Sequence, residues 1–136
     1  MPKTETFDRN EVLEKVTTLF WDKGYSATFM QDIVDASGLN RSSIYNSFGD
    51  KYQLFTTSIN FYQRNIQSAM LGNLDNLKPR TAIRHLFENV MATMEDNANQ
   101  KGCFMTNCTA ELALSPCQMK LFFTEITYLT RPEDEN

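Results

Sequence analysis

The side chains best suited to hydrogen bonding with another molecule lie in one short polar segment, residues 40–47. At 3.6 residues per turn this segment makes about two turns of helix, with Ile44 and the flanking Leu39 and Phe48 turned inward. The remaining side chains are short and rich in donors, which suits a helix that enters a DNA major groove about 12 Å wide. Arginine can bind guanine through two hydrogen bonds, asparagine can pair with adenine, and hydroxyl groups reach phosphates or bases. The segment therefore predicts a DNA-contacting surface that includes Asn40, Arg41, Ser42, Ser43, Tyr45 and Asn46.

The residues before this segment predict the element that positions it. Thr28 and Gln31 have the spacing of a capping box, in which two side chains satisfy backbone groups left open by the first turn of a helix. Gly38 ends that helix, because glycine adopts the left-handed conformation of a helix stop at little cost. The apolar side of the helix consists of Ile33, Val34 and Ala36. Two short helices around a tight turn form a helix-turn-helix.

A further candidate for phosphate contact is Lys51, which follows Asp50. Aspartate at that position predicts the N-cap of another helix, so Lys51 falls in the first helical turn, where free N–H groups and the positive end of the helix dipole favour a phosphate. Taken alone, Lys51 and Arg41 are more simply interpreted as solvated surface residues. The assembled pattern is what favours DNA contact.

The segment from Phe7 to Phe55 resembles the DNA-binding head of the tetracycline-repressor (TetR) family of bacterial regulators. The resemblance implies an all-helical homodimer, in which the third helix of each three-helix head lies in the major groove. It also implies a larger helical body that dimerises and often binds a small effector. The residues that carry the resemblance are Phe20, Lys23-Gly24-Tyr25, Thr28, Ile33, Gly38, Tyr45, Phe48 and Lys51.

The resemblance also implies roles for individual residues. Tyr45 and Lys51 occupy the positions of the tyrosine and lysine that clamp phosphates in the family, and Thr28 completes the predicted DNA-binding set. Phe29 departs from the family, which usually has a small hydroxyl residue after the cap. Contacts to bases or phosphates are implied for Arg41, Ser42, Ser43, Asn46 and Ser47.

Composition limits the type of DNA binding and argues against a membrane protein. The 136 residues carry a net charge of −4, whereas a protein that coats nucleic acid non-specifically needs a clustered basic surface. Binding would therefore depend on a few placed residues and two-fold repetition, with Lys3 and Arg9 adding reach from the N-terminal side. The sequence has no apolar run of the roughly 18 residues needed to span a membrane, and no signal peptide. We expect a cytoplasmic protein without a membrane partner.

The apolar periodicity predicts an all-α protein. The resemblance implies that it has two parts, a DNA-binding head at residues 1–52 and a helical regulatory and dimerisation body at residues 53–136, joined by a long helix. A change in the tilt of that helix would move the recognition helix. Helices are predicted over residues 8–22, 50–71 and 80–94, and a loop over residues 96–100.

Residues 101–112 resemble a stretch found in the bodies of one TetR subgroup. The three cysteines form no CxxC pair and His85 is the only histidine, so we predict neither a metal site nor a cofactor. We interpret the cysteines as small buried hydrophobes, with redox sensing or effector contact as the alternative. Aromatic and methionine residues of the body either fill the core or line an effector pocket. The pocket residues predicted on the second interpretation are Tyr62, Phe87, Met91, Cys103, Phe104 and Phe122.

The C-terminal region predicts one more helix over residues 118–129, started by Ser115-Pro116. TetR relatives normally continue with two further long helices that form the dimer interface, so we expect a body that is incomplete relative to the family. Such a body leaves apolar surface uncovered, and exposed apolar surface favours association. We predict self-association through Leu121, Phe122, Ile126 and Leu129.

Three classes of function follow from these patterns. The leading one is a sequence-specific transcriptional regulator, a repressor, that binds a palindromic operator as a dimer, with half-sites about 34–36 Å apart or a multiple of that distance. The second is a ligand- or redox-responsive helical module whose truncated body impairs DNA binding. The third, an enzyme, is not predicted, because glycine-rich phosphate loops, nucleophile elbows and HExxH motifs are missing from the sequence.

Overall fold

The computed structural model describes residues 6–95 and 101–113, which form six α-helices and no strand. The predicted all-α class is confirmed. The predicted loop at residues 96–100 and helix at residues 118–129 lie outside the described residues, as do Lys3, Ser115-Pro116, Cys117, Leu121, Phe122, Ile126 and Leu129. The helices are α1 (Arg9–Lys23), α2 (Met30–Ser37), α3 (Arg41–Phe48), α4 (Lys51–Leu71), α5 (Pro79–Glu95) and α6 (Phe104–Leu112).

Helix α2 begins one residue later than the capping box of Thr28 and Gln31 predicts, and that prediction is wrong. Its N-cap is Phe29, whose backbone N–H donates to the Asp32 carboxylate at 2.8 Å. Thr28 is fully buried, and its hydroxyl donates to the carbonyl of Gly24 in the preceding turn. The sequence spacing of Thr28 and Gln31 was misleading because the threonine hydroxyl finds its partner before the helix rather than inside it.

The next helix starts follow their local sequence more closely. Gly38 ends α2 with a φ of 73°, in the left-handed region. Asn40 caps α3, its side-chain oxygen accepting from the N–H of Ser43 at 2.8 Å. Asp50 and Gln53 form a capping box at the start of α4. The predicted long helix is confirmed, and its 21 residues extend about 32 Å at 1.5 Å per residue.

A single apolar core joins the helix-turn-helix to α6. Phe20 of α1, Phe55 of α4 and Phe104 of α6 are all at most 1% exposed. The rings of Phe20 and Phe55 meet edge to face, with 5.2 Å between centroids, and Phe55 makes a similar contact with Phe104 at 6.3 Å. Helix α6 of the predicted body therefore shares its core with the predicted head.

Helix α5 packs on α4 but contributes no fully buried side chain. The broad apolar face predicted for it is divided in two. Leu86 and Val90 are half-buried, whereas the other apolar residues are 58–72% exposed in the part of the chain that the structure describes. These exposed residues are Ile83, Phe87, Met91 and Met94.

Candidate nucleic-acid interface

Helix α3 presents one polar face to solvent and one apolar face to the core. Ile44 and Phe48 are buried at 1% and 6% exposure, as predicted. Residues separated by four positions lie above one another on a helix, so the exposed side chains at 41, 42, 45 and 46 share a face. That face comprises Arg41, Ser42, Tyr45 and Asn46, while Ser43 and Ser47 at its edges are half-buried.

Arg41 is held loosely at the start of this face. Its guanidinium donates to the side-chain oxygen of Gln31 on α2 at 3.3 Å. The partner is a neutral amide, so this contact leaves the positive charge of Arg41 uncompensated. A long hydrogen bond to an exposed neutral partner is readily exchanged for a bidentate contact with a charged or polar group. The side chain is therefore available to a base or a phosphate.

Two predicted DNA contacts, Thr28 and Asn40, have structural roles in the fold. Thr28 is fully buried, which leaves its hydroxyl no access to a phosphate in this structure. Asn40 is exposed, but its side-chain oxygen caps α3 through Ser43. A bidentate contact with adenine requires both the oxygen and the amino group of an asparagine. Asn40 can make that contact only by giving up the cap, so Asn46 is the better candidate.

Arg9, which the sequence predicts to add reach towards DNA, lies against the end of α3. Its guanidinium donates to the carbonyl of Ser47 at 3.0 Å and lies 4.4 Å from the centroid of the Phe48 ring. A cation at the C-terminal end of a helix also interacts favourably with the helix dipole. Arg9 therefore stabilises the end of α3 from the start of α1.

Helix α2 is held at its start by a charged group. The Asp32 carboxylate accepts from the Phe29 N–H and pairs with the Lys23 ammonium at 3.1 Å. The backbone hydrogen bond, followed by the contact with Lys23, lowers the pKa of Asp32 below its ordinary value. This pair connects the end of α1 to the first turn of α2, the helix that packs against α3.

Lys51 lies in the first turn of α4, as predicted, and its ammonium has an aromatic partner. The nitrogen is 4.3 Å from the centroid of the Tyr25 ring, within the range of a cation–π interaction. The side chain is half-buried. Burial lowers the pKa of Lys51, while the negative charge of Glu111 opposes that shift. The ammonium is thus held at the edge of the fold rather than extended into solvent.

Sequence reasoning missed Glu111 of α6, which contacts the turn between α1 and α2. Its two carboxylate oxygens accept from the backbone N–H groups of Tyr25 at 2.9 Å and Ser26 at 2.8 Å. One signal was available, since Glu111 lies three residues after Cys108 and one before Leu112, both apolar. A carboxylate at the edge of an apolar helix face can reach the backbone of a neighbouring element, although the sequence does not say which element that is.

The residues of the predicted effector pocket lie in different places in the fold. Tyr62 and Cys103 line a cavity of about 660 Å³ between α4, α5 and the start of α6. Phe104 is buried in the core and lies away from this cavity, whereas Phe87 and Met91 are on the exposed side of α5. Phe122 lies outside the described residues. Most of the cavity lining is apolar and includes Ile66, Met70, Leu86, Val90 and Met94.

The described cysteines have opposite environments. Cys108 is 2% exposed, and burial raises the pKa of its thiol to about 12. Cys103 is exposed at the N-cap of α6, so the prediction that it is a buried hydrophobe is wrong. Burial of its sulfur opposes ionisation, but hydrogen bonds from Thr106, Tyr62 and the backbone of Met105 outweigh it and lower the pKa of Cys103.

The described residues offer neither a metal-binding cluster nor a membrane-spanning helix. Within residues 6–95 and 101–113, no cluster of three or more His, Cys, Asp or Glu side chains is arranged to hold a metal ion. Among the helices of those same residues, none is both long and apolar enough to cross a membrane. His85 pairs with Glu88 on the surface of α5 at 3.2 Å.

Comparison with known proteins adds a family and several relatives. Residues 12–57 match the family described as bacterial regulatory proteins, tetR family. An uncharacterised HTH-type transcriptional regulator of Bacillus subtilis, YezE, is 28% identical over 112 residues, which cover 82% of this chain and 58% of YezE. The HTH-type transcriptional repressor ComR of Escherichia coli is 30% identical over 117 residues, covering 84% of this chain and 54% of ComR.

A third relative is the HTH-type transcriptional repressor DhaR of a Mycobacterium species, 27% identical over 105 residues that cover 77% of this chain and 52% of DhaR. The chain thus spans a little over half the length of these curated relatives. No solved structure matches it significantly. The helix-turn-helix segment at residues 12–57 therefore belongs to the TetR family of bacterial regulatory proteins, and the chain is similar to HTH-type transcriptional regulators over about four-fifths of its length.

Proposed function

We propose that this protein is a sequence-specific DNA-binding transcriptional regulator that represses genes from a palindromic operator as a homodimer. The observation that carries the proposal is the exposed polar face of α3, which is supported by buried Ile44 and Phe48 and begins with a charge-bearing Arg41. A helix of this kind, following a tight turn after α2, has the form of a recognition helix. We further propose that residues 1–52 act as the DNA-binding head and residues 53–136 as the regulatory and dimerisation body, in a cytoplasmic protein without enzymatic activity.

Dimerisation is proposed because a single head offers few positive charges to DNA. Lys15 pairs with Glu11 at 2.7 Å and Lys23 with Asp32 at 3.1 Å, so part of the basic charge of the head is neutralised. The net charge of the chain is −4. Two-fold repetition doubles the number of specific contacts and requires a palindrome whose half-sites are about 34–36 Å apart, or a multiple of that distance.

Arg41 and Lys51 are proposed to have different roles on the DNA. If Arg41 reads guanine, Arg41→Ala should cost about 1–3 kcal/mol on the cognate operator and relax the preference at one base pair of each half-site. If Lys51 contacts a phosphate, Lys51→Ala should weaken binding to all sequences alike and reduce the salt dependence. Equal losses on operator and random DNA for Arg41→Ala would reject its specifying role.

The test is a selection of the purified protein against random duplex DNA, performed at several salt concentrations. Light scattering measures the mass of the selected complex, and Lys51→Ala is carried in parallel. Enrichment of a palindrome in a complex of two chains is the expected result. A folded, helical protein that enriches no sequence would contradict the proposal.

We also propose that a small apolar effector releases the protein from DNA by entering the cavity between α4, α5 and α6. The cavity volume of about 660 Å³ falls in the range of small-molecule sites, and its lining is largely apolar. Val90→Trp should fill part of the cavity with a larger side chain. We expect this variant to respond more weakly to an effector, while its affinity for DNA without effector stays unchanged. The expected measurement is the concentration of an apolar ligand that halves operator binding.

The exposed Cys103 in the cavity wall favours a second candidate, a ligand- or redox-responsive module with impaired DNA binding. On that alternative the protein should enrich no operator, yet its thermal unfolding should shift on addition of an apolar ligand or a thiol oxidant. Cys103→Ser should abolish the oxidant response alone. Operator enrichment by the untreated protein would exclude this candidate.

A further inference from the structure

We propose that Glu111 on α6 is a positioning residue for the DNA contact of Lys51. The inference rests on the proposed function, since it takes Lys51 as a phosphate contact, and it adds a residue of the predicted body to the DNA interface. Glu111 acts through Tyr25. Its carboxylate accepts a hydrogen bond from the Tyr25 backbone N–H, and the Tyr25 ring lies against the Lys51 ammonium.

Glu111 contacts the turn after α1 through its carboxylate. Its two oxygens accept from the N–H groups of Tyr25 and Ser26, which gives the turn two charge-assisted hydrogen bonds. Gly24 permits this approach, because its φ of 79° is unfavourable for other residues and a Cβ there would lie 2.6 Å from a Glu111 oxygen. The turn and the carboxylate therefore fit one another closely.

Tyr25 in turn contacts Lys51 through its ring. The Lys51 nitrogen lies 4.3 Å from the centroid of the Tyr25 ring. The same ring is held by Phe55 at 4.8 Å and by Tyr52 at 6.4 Å between centroids. The charge of Glu111 adds an attraction for the Lys51 ammonium. Tyr25 is thus a platform that restricts where the ammonium can lie.

Glu111 is itself held in place by the packing of α6. Phe104, Cys108 and Leu112 of α6 are at most 2% exposed and fix the helix against the core. Lys101, before α6, pairs with Asp22 of α1 at 2.5 Å. Because α6 is held at both the core and the surface, Glu111 presents a fixed carboxylate to the turn. Restricting a cation near its bound position lowers the entropy cost of contacting a phosphate.

The first test needs no DNA. A methylene group over an aromatic ring resonates upfield in proton NMR, so the ε-protons of Lys51 report its position on Tyr25. In Glu111→Ala we expect this upfield shift to fall by at least about half, and the Tyr25 and Ser26 amides to exchange with solvent about tenfold faster. Glu111→Gln, which keeps one accepting oxygen, should show a smaller change. Unchanged Lys51 resonances in a folded Glu111→Ala protein would overturn the proposal.

The second test measures DNA binding against salt for Glu111→Ala, Lys51→Ala and the double variant. Glu95→Ala is the matched control, because it removes one exposed carboxylate from α5 and reports the effect of net charge alone. We expect Glu111→Ala to weaken binding about tenfold and to reduce the salt slope by about one per head, as Lys51→Ala does. In the Lys51→Ala background it should have less than about a twofold further effect.

The outcomes separate the two proposals. Equal losses from Glu111→Ala with and without Lys51 would mean that Glu111 acts only on stability, which overturns the positioning role. A gain in affinity equal to that of Glu95→Ala would mean that only its charge matters, with the same consequence. If the unmodified protein selects no DNA, the proposed function fails, and the NMR test alone decides whether Glu111 positions Lys51.

Discussion

Replacing Phe104 by alanine tests whether α6 belongs to the same folding unit as the helix-turn-helix. Phe104 is fully buried, and its ring contacts Phe55 at 6.3 Å, Tyr62 at 5.4 Å and Trp21 at 6.0 Å between centroids. These partners come from α1 and α4, so the ring joins three helices. The substitution leaves a cavity where those helices meet.

The expected loss follows from the burial of the ring. Phenylalanine-to-alanine changes at fully buried positions cost about 3–5 kcal/mol in unfolding free energy. Small domains are stabilised by only about 5–15 kcal/mol in total, so the change removes a large share of the stability. Three edge-to-face or tilted aromatic contacts are lost as well, which favours the upper part of the range.

Urea unfolding followed by tryptophan fluorescence and by far-UV circular dichroism measures this loss. Trp21 is the only tryptophan, and its indole N–H donates to the carbonyl of Lys101 at 3.3 Å, just before α6. Its emission therefore reports the docking of α6, while dichroism reports total helix. We expect one cooperative transition by both probes in the unmodified protein, and in Phe104→Ala a red-shifted emission with an earlier midpoint.

Phe29→Ala is the matched control, because it makes the same chemical change at a side chain that is 67% exposed. It should cost less than about 0.5 kcal/mol. A loss below about 1 kcal/mol in Phe104→Ala, with unchanged tryptophan emission, would refute the conclusion that α6 and the helix-turn-helix share one core.

Three further predictions concern single sites. Gly38→Ala should lower the free energy of unfolding by about 1 kcal/mol, because a φ of 73° is unfavourable for alanine. No atom lies within 4 Å of the added methyl group, so this backbone strain is the whole cost. An unchanged thermal midpoint would contradict the left-handed cap. The pKa of Asp32 is lowered by its backbone hydrogen bond, so its stabilisation is present above the ordinary value of 3.8 and is lost as pH falls through the lower folded value. Asp32→Asn should therefore destabilise the protein near neutral pH, and the difference should vanish in acid; a difference that persists in acid would mean that ionisation is not its origin. Iodoacetamide at neutral pH should modify Cys103 more than about tenfold faster than Cys108, because the first has a lowered thiol pKa and exposure while burial raises the pKa of the second to about 12. Mass spectrometry of the two peptides measures this ratio, and similar rates would contradict the assigned environments.

The local elements were predictable because their causes lie within a few residues. A cap such as Asp50 and a stop such as Gly38 bind or bend the backbone next to them, so the helix starts and ends follow from neighbouring sequence. The exposed face of α3 follows from the 3.6-residue period, which separates Ile44 and Phe48 from the polar side chains. These interactions hold whatever surrounds the segment.

The residue roles that the local sequence does not give depend on how the helices pack together. Thr28 has the sequence of a cap, but core packing buries it and gives its hydroxyl another partner. Arg9 has the charge of a DNA contact, and in the fold its guanidinium donates to the carbonyl of Ser47 at the end of α3. The local sequence shows which side chains can donate a hydrogen bond. Which acceptor each of them binds depends on which helices and turns pack next to it.

The all-helical class, the helix-turn-helix and the polar face of α3 are predictable from the sequence alone, because hydrogen bonding along the backbone and apolar periodicity are local. The packing of the helices, in contrast, places Phe104 in the core and Cys103 in the cavity wall, although the two are neighbours in sequence. It also brought Glu111 to the turn at Tyr25, beside the lysine that begins α4. The physical reason is that burial and long-range pairing depend on how α6 docks against α1 and α4, which no segment of the chain specifies alone.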